Sequence, residues 1–298
     1  MDLYTLTDAE LNLYVTSIVE AYTNEYYATT DMAPDVPVGS SSFAYRKLQR
    51  SGAVQSSVVG EYGEGIPFGQ SSEWEKLKTE DHFRIGLIPD AVRLLGREAA
   101  IDLASELADG IGEEFKREAN VDFANWITKT SNFTNHGIPG TKWDAPNGDP
   151  AKDISAKILT ISTIVGRAPN GLGMTPDVFR EIATNHARSV DGNQATASKQ
   201  AVLNYIAADA LTTLAICDVD NGKGVNAYGT KNLWLFYNAP TASRVSPSFA
   251  STFRFKKGSY TKTAVINSPA GQALYAHSNY LTHVRNEKAC YYFHGVLT

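Results

Sequence analysis

The residues that could support chemistry are scattered along this sequence. The run Asp218–Gly224 contains acidic and amide side chains followed by glycines, the composition of a calcium-binding loop. It departs from that motif because Gly222 stands at the fifth position and Gly229 at the twelfth, where a bidentate Glu is required. We therefore predict a polar turn between two strands at this point.

Searches for other catalytic patterns also fail. The sequence has no GxSxG, HExxH or GxxxxGK[ST] motif, and Gly171-Leu172-Gly173 lacks the third glycine and the preceding strand of a dinucleotide site. The six histidines show no i,i+4 pair, and two cysteines, Cys217 and Cys290, cannot form a disulfide framework or a zinc cluster. We predict no catalytic residue, no metal and no cofactor. A carboxylate pair distant in sequence stays open, because spacing does not reveal one.

The composition limits the class of protein. Of 298 residues, 43% are hydrophobic, so the chain can bury a core. There are 27 Lys plus Arg against 32 Asp plus Glu, and the net charge of −5 argues against a dedicated nucleic-acid binder. No signal peptide or membrane-spanning run is recognisable. We expect a soluble protein made in a reducing compartment.

The first segment is predicted to be an amphipathic helix. Thr7 and Glu10 form a capping box. Apolar residues then follow at helical spacing up to about residue 27, and Pro34 prevents continuation. Such a helix could dock on its own core or act as an arm that packs on another chain.

Residues 38–88 contain short β-prone pieces, around 43–48, 54–59 and 82–88, separated by serines and glycines. This pattern predicts a long twisted hairpin. Because few large apolar residues occur there, the hairpin could bury little surface on its own and would need another chain.

Residues 99–130 are predicted to form a long helix, with apolar residues repeating every four positions from Leu103 to Ile127. Each step of four overshoots a full turn by about 40°, so the apolar line drifts around the axis and indicates contacts on several sides. Helices are then expected from Asp149-Pro150 to Gly166, from Thr175-Pro176 and over 198–208. The strands are expected at 171–174, 211–219, 233–237, 249–255, 261–267, 279–284 and 289–297.

Two of these parts, the arm and the hairpin, lack partners within one chain, which is typical of a subunit in a closed assembly. In this order the sequence resembles a major capsid protein of tailed double-stranded-DNA bacteriophages, whose Hong-Kong-97-like fold is shared with encapsulin shells. The resemblance lies in Ala33–Val38, the long helix, Lys142-Trp143-Asp144, Gly166–Asn170, Tyr228–Tyr237 and Pro247–Phe255.

The resemblance implies an α+β fold with an N-terminal arm (1–40), an elongated β-hairpin loop (41–88), a peripheral domain with a spine helix (89–144), an axial domain (145–240) and return strands (241–298). It implies a non-enzymatic coat protein that assembles through hexamers and pentamers into an icosahedral shell around phage DNA. The partners implied are the chain itself, scaffolding, portal and decoration proteins, and double-stranded DNA by weak contact, without a membrane. It would be made in the host cytoplasm and end in the virion.

Two alternatives stay open: an encapsulin-type compartment and a cytosolic α/β enzyme with a site in residues 145–240. For the capsid hypothesis, the subunit-interface candidates are apolar and aromatic residues of the arm and the hairpin loop, namely Leu11, Val15, Ile18, Tyr22, Phe43, Tyr45, Tyr62, Phe68 and Trp74.

Overall fold

A computed structural model of the chain describes residues 28–48, 72–89, 97–186, 198–207, 211–255, 260–267 and 270–298. The amphipathic helix predicted before residue 28 lies outside these ranges. Within them, no helix is both long enough and apolar enough to cross a membrane.

The helices lie close to the predicted positions. Those of the described ranges are α1 (Ala28–Met32), α2 (Arg97–Ile127), α3 (Pro150–Val165), α4 (Pro176–Glu181, followed by a π-helical turn at Ile182–His186) and α5 (Lys199–Ala207). The strands are β1 (Asp35–Pro37), β2 (Ser42–Leu48), β3 (Ser72–Lys78), β4 (Glu80–Pro89), β5 (His136–Gly137), β6 (Gly171–Met174), β7 (Thr213–Ile216), β8 (Leu233–Phe236), β9 (Ala250–Arg254), β10 (Tyr260–Asn267), β11 (Ala270–Val284) and β12 (Cys290–Phe293).

The first sheet is built around β11, a strand of 15 residues. β4, β9 and β10 each pair antiparallel with β11, and β1 pairs parallel with β9. The prediction that residues 82–88 belong to the hairpin is therefore wrong. Ten residue pairs join β4 to β11, from Pro89↔Gly271 to Glu80↔Tyr280.

Helix α2 joins this sheet to a second core, and the predicted drift of its buried side is confirmed. In its first half, Ala108, Ile111 and Phe115 pack against the first sheet, where they share an apolar cluster with Leu274 of β11. Its second half packs Phe123 and other residues into a different cluster. At about 100° per residue, the buried side turns by more than a third of the circumference between the two halves.

The second sheet has the order β5-β12-β8-β6-β7, and α3, α4 and α5 pack with it around a common apolar cluster. The predicted caps of α3 are confirmed. Asp149 accepts a hydrogen bond from the backbone N–H of Lys152, Pro150 opens the helix, and Gly166 ends it with φ of 78°. A left-handed C-cap of this kind favours glycine.

Strands β2 and β3 pair into a separate two-stranded hairpin. A hairpin was predicted in this segment, but its return strand, Ser72–Lys78, was not, and the strand predicted at 54–59 lies outside the described residues. The base of the hairpin packs into an apolar cluster shared with the first sheet, which corrects the expectation that this part of the hairpin would need another chain. Phe43 and Tyr45 are buried together with Val36 of β1 and Phe253 of β9. The described part of the hairpin is therefore attached to the edge of the first sheet.

Candidate subunit interface

Strand β4 has its apolar side turned outward. Phe83, Ile85 and Leu87 alternate along it with exposed fractions of 45%, 52% and 45%. In an ordinary half-buried strand, the apolar positions face the core and the polar positions face water. In β4 the apolar side faces solvent instead, and we call the side chains of Phe83, Ile85 and Leu87 the β4 stripe.

The polar side of β4 faces α2 instead. Glu118 of α2 pairs with Arg84 (Nη2–Oε2 2.6 Å) and lies 3.3 Å from Nδ1 of His82. A Cβ at Gly86 would lie 3.4 Å from Leu107 Cδ1, so strand and helix pack closely there. These contacts fix which way the strand faces, so the exposure of the β4 stripe is a built feature of the chain.

The β4 stripe continues onto β11, where the ring of Tyr275 stacks with Phe83 at a centroid distance of 5.8 Å. Contiguous apolar surface of this kind marks sites where another molecule binds. The sequence predicts a strand here, but its alternation alone would assign the apolar side to the core. Sequence reasoning therefore missed these residues as interface candidates.

The base of the hairpin is fixed by Tyr45. Its hydroxyl donates to Glu75 Oε2 at 2.6 Å and lies 3.2 Å from Nε2 of His283 on β11. Burial first, and then the hydrogen bond to Glu75, raise the pKa of the Tyr45 phenol well above its usual range. The phenol stays protonated and acts as a donor between the hairpin and the first sheet.

Arg285 lies beneath this tyrosine. Its guanidinium is 5.4 Å from the centre of the Tyr45 ring and 5.8 Å from that of Phe253. It donates to the carbonyl oxygens of Ser243 (2.8 Å) and Arg244 (2.9 Å). Burial lowers the pKa of the Arg285 guanidinium to about 10, so it remains charged at neutral pH. The guanidinium links the hairpin, the first sheet and the loop before β9.

These contacts correct two of the predicted interface residues. Phe43 and Tyr45 are 7% and 1% exposed, so their side chains pack within their own chain and are not available to a neighbour. Trp74 is 59% exposed and stays a candidate. The remaining candidates lie outside the described residues: Leu11, Val15, Ile18, Tyr22, Tyr62 and Phe68.

Several polar side chains in residues 145–240, the range of the enzyme alternative, hydrogen-bond to the backbone. Asp177 accepts a hydrogen bond from the N–H of Lys231, a non-glycine residue with φ of 60°. The side-chain amide of Asn170 donates to the carbonyl oxygen of Asn238 and accepts from the backbone N–H of Asn238. Asp220 accepts from two backbone N–H groups of its own loop, so the predicted polar turn is confirmed.

Within the described ranges, no group of three or more His, Cys, Asp or Glu side chains is placed to hold a metal ion. Both cysteines are buried as free thiols, and burial raises their pKa well above the usual range.

The fold is that of known capsid proteins. A phage-related protein from Bordetella bronchiseptica superposes with a TM-score of 0.72 over 96% of this chain and 97% of that chain, at 14% identity. The virus-like particle from Pyrococcus furiosus gives 0.57 (97% and 100% covered, 11% identity). The capsid of Myoviridae phage XM1 gives 0.56 (93% and 95% covered, 13% identity). No protein-family model and no curated protein matches the sequence.

Proposed function

We propose that this chain is a major capsid protein, a structural coat subunit that assembles with its own copies into a closed shell. The reversed strand β4 carries the proposal, because it presents the apolar side chains of the β4 stripe to solvent in the isolated chain. The fold supports the same function, since it matches the phage XM1 capsid over almost the whole of both chains.

The energetics of such a shell are modest per contact and large in sum. Fully burying a side chain such as Phe, Ile or Leu stabilises by about 1.5–3 kcal/mol. The half-exposed members of the β4 stripe therefore supply a few kcal/mol to one contact. A closed symmetric assembly repeats each contact in every subunit, so weak interfaces give a stable particle.

We further propose that the shell is icosahedral, built from hexamers and pentamers, and that it encloses phage double-stranded DNA. The net charge of −5 agrees with a container that binds its contents weakly. The chain would be made in the host cytoplasm and reside in the virion. Scaffolding, portal and decoration proteins are further partners in this proposal.

Negative-stain microscopy and sedimentation of the purified chain test the proposal. We expect ring-shaped capsomers or closed shells of megadalton mass. Ile85→Glu should abolish them without unfolding the chain, because this side chain is 52% exposed. Ile85→Val keeps the surface apolar and should assemble normally. A compact monomer of the unmodified chain at micromolar concentration, with no larger species, would contradict the proposal.

The contents of the particles separate the capsid from the alternatives. Nuclease-protected DNA in particles purified from infected cells supports the phage capsid, whereas enclosed protein cargo supports an encapsulin-type compartment. An enzyme with a site in residues 145–240 would instead remain a monomer or small oligomer.

A further inference from the structure

Three asparagines in the sequence are followed directly by glycine: Asn147, Asn170 and Asn221. In such a pair the backbone nitrogen of the glycine can attack the side-chain amide carbon of the asparagine, because glycine has no side chain to block the approach. The product is a cyclic succinimide, and ammonia is released. Since the three pairs share this chemistry, the structure around each pair decides whether it reacts.

The loop Asp218–Gly224 places two groups at the pair of Asn221 and Gly222. The N–H of Gly222 donates to Oδ1 of Asp220 at 3.0 Å, so a carboxylate lies where a base would take the proton of the attacking nitrogen. The side-chain oxygen of Asn221 accepts from the backbone N–H of Lys223 at 2.9 Å, so a donor lies where negative charge develops during the attack. The attacking nitrogen and the attacked carbonyl group are therefore both prepared for reaction.

The loop holds this arrangement in place and leaves it open to water. Gly222 has φ of 81°, a conformation that favours glycine, and its N–H shares the Asp220 oxygen with the N–H of Gly224 at 2.9 Å. The backbone N–H of Asn221 donates to the carbonyl oxygen of Val225 at 3.0 Å, which closes the loop. Residues 220–225 are all exposed, so water reaches the reacting amide.

The other two pairs are held differently. The side chain of Asn170 bonds the backbone of Asn238 through both its amide nitrogen and its oxygen. Asn147 is exposed, but the N–H of the glycine that follows it, Gly148, donates to the carbonyl oxygen of Ala145 at 2.9 Å. A backbone carbonyl accepts a hydrogen bond without taking up the proton, so this pair has no base at its attacking nitrogen.

We propose that Asn221 is a site of self-catalysed modification, at which the folded chain converts this asparagine to aspartate and isoaspartate. The nitrogen of Gly222 forms a bond to Cγ of Asn221 while Asp220 takes its proton, and the bond from Cγ to Nδ2 breaks. The proton passes to the leaving nitrogen, which departs as ammonia. Water then adds to either carbonyl of the succinimide and breaks its bond to the ring nitrogen. The carbonyl that water attacks decides which product forms, and no oxidant or reductant is needed.

Either product adds a carboxylate to the exposed loop and takes the net charge of the chain from −5 to −6. Isoaspartate also lengthens the main chain by one methylene group. The loop lies beside α2, since a Cβ at Gly222 would lie 3.7 Å from Nη1 of Arg117. The reaction uses the groups of one chain only, so the inference goes beyond the capsid proposal and does not depend on it.

Peptide mapping by mass spectrometry of the unassembled subunit, incubated at neutral pH, tests the reaction. We expect the folded chain to convert Asn221 at least about tenfold faster than Asn147 or Asn170, with aspartate and isoaspartate peptides as two separate chromatographic peaks. In urea, where the contacts of the folded chain are lost, the three rates should become similar. Equal rates at the three asparagines of the folded chain would overturn the inference.

Asp220→Asn tests the role of the carboxylate. An amide oxygen at this position still accepts from Gly222 and Gly224 but takes no proton, so the conversion of Asn221 should slow by at least about tenfold. Asp218→Asn is the matched control, because it removes the same charge from an exposed position of the loop and should react like the unmodified chain. Unchanged urea midpoints show that both variants fold. If both variants react as fast as the unmodified chain, exposure alone governs the reaction and the inference is wrong.

Discussion

The side-chain amide of Asn120 donates a hydrogen bond to the hydroxyl of Thr29, 2.8 Å away, although 91 positions separate them in sequence. The amide oxygen of Asn120 accepts from the N–H of Thr29 and from the hydroxyl of Tyr228. The Asn120 residue is 0% exposed. One amide in the second half of α2 thus holds both α1 and the loop before β8.

Asn120→Ala should lower the free energy of unfolding by about 3 kcal/mol, because each buried group that loses its partner costs about 1–3 kcal/mol. Urea denaturation of the unassembled subunit at fixed protein concentration measures the loss. Asn204→Ala is the control, since Asn204 bonds Gln200 on the surface and its removal should cost under about 0.5 kcal/mol. A loss below about 1 kcal/mol for Asn120→Ala would show that the buried amide is dispensable.

Arg285→Lys should destabilise the subunit by about 2 kcal/mol. A lysine keeps the charge but loses the planar fork that reaches two carbonyl groups and stacks on Tyr45. Limited proteolysis should detect faster cleavage in residues 239–249, and urea denaturation gives the energy. Arg180→Lys, at an exposed position of α4, should behave like the unmodified chain. Equal cleavage rates in the two variants would argue against a bracing role for Arg285.

Gly171→Ala should lower stability by about 1–3 kcal/mol through overpacking. A Cβ at this position would lie 2.3 Å from Cζ of the buried Phe236 ring. Gly140→Ala should be neutral, since a Cβ there meets nothing within 4 Å. Phe236→Leu should relieve part of the effect of Gly171→Ala, so a double-mutant cycle by urea denaturation should give a favourable coupling. Additive losses would contradict the clash.

The pH dependence of stability should include a contribution from His294. Burial first, and then the neighbouring His136 and Lys142, lower the pKa of His294 below its usual 6.5. Between these two pKa values His294 is protonated in the unfolded chain and neutral in the folded chain. The free energy of unfolding therefore falls as the pH drops from about 6.5 to the pKa of His294 in the folded chain.

His294→Gln should flatten this part of the profile, as measured by urea denaturation of the unassembled subunit between pH 7.5 and pH 5. His136→Gln should flatten it partly, because it removes one of the positive charges that lower the His294 pKa. An unchanged slope in His294→Gln would assign the acid sensitivity to another group.

The elements with local determinants could be predicted from sequence, and those made by distant pairing could not. The caps of α3, Asp149 and Gly166, directly flank the helix, so the neighbouring residues alone predict where it begins and ends. Strand β1 was missed because three residues, Asp35–Pro37, become a strand only by pairing with β9 about 217 positions away. The glycines before β4 led to the prediction that this strand belongs to the hairpin, whereas the strand belongs to the first sheet because it pairs with β11.

The candidate interface was predicted in part for the same reason. Trp74 is exposed, as an interface residue must be before assembly, and its place in the interface stays a prediction. Phe43 and Tyr45 were assigned outward because their partners, Phe253 and Arg285, lie far along the chain. The β4 stripe was missed because the alternation of apolar and polar residues divides a strand into two sides but does not show which side packs against a helix.

Helix α2 passes through two apolar cores without a break, over 31 residues or about 46 Å. It therefore connects the two sheets as one continuous helix, and the orientation of one sheet relative to the other cannot change unless the helix bends. In a curved shell built from such subunits, the angle between neighbouring subunits must be set mainly at the interfaces between them. Small differences between these interfaces would let one polypeptide form both flat and sharply curved regions of the shell.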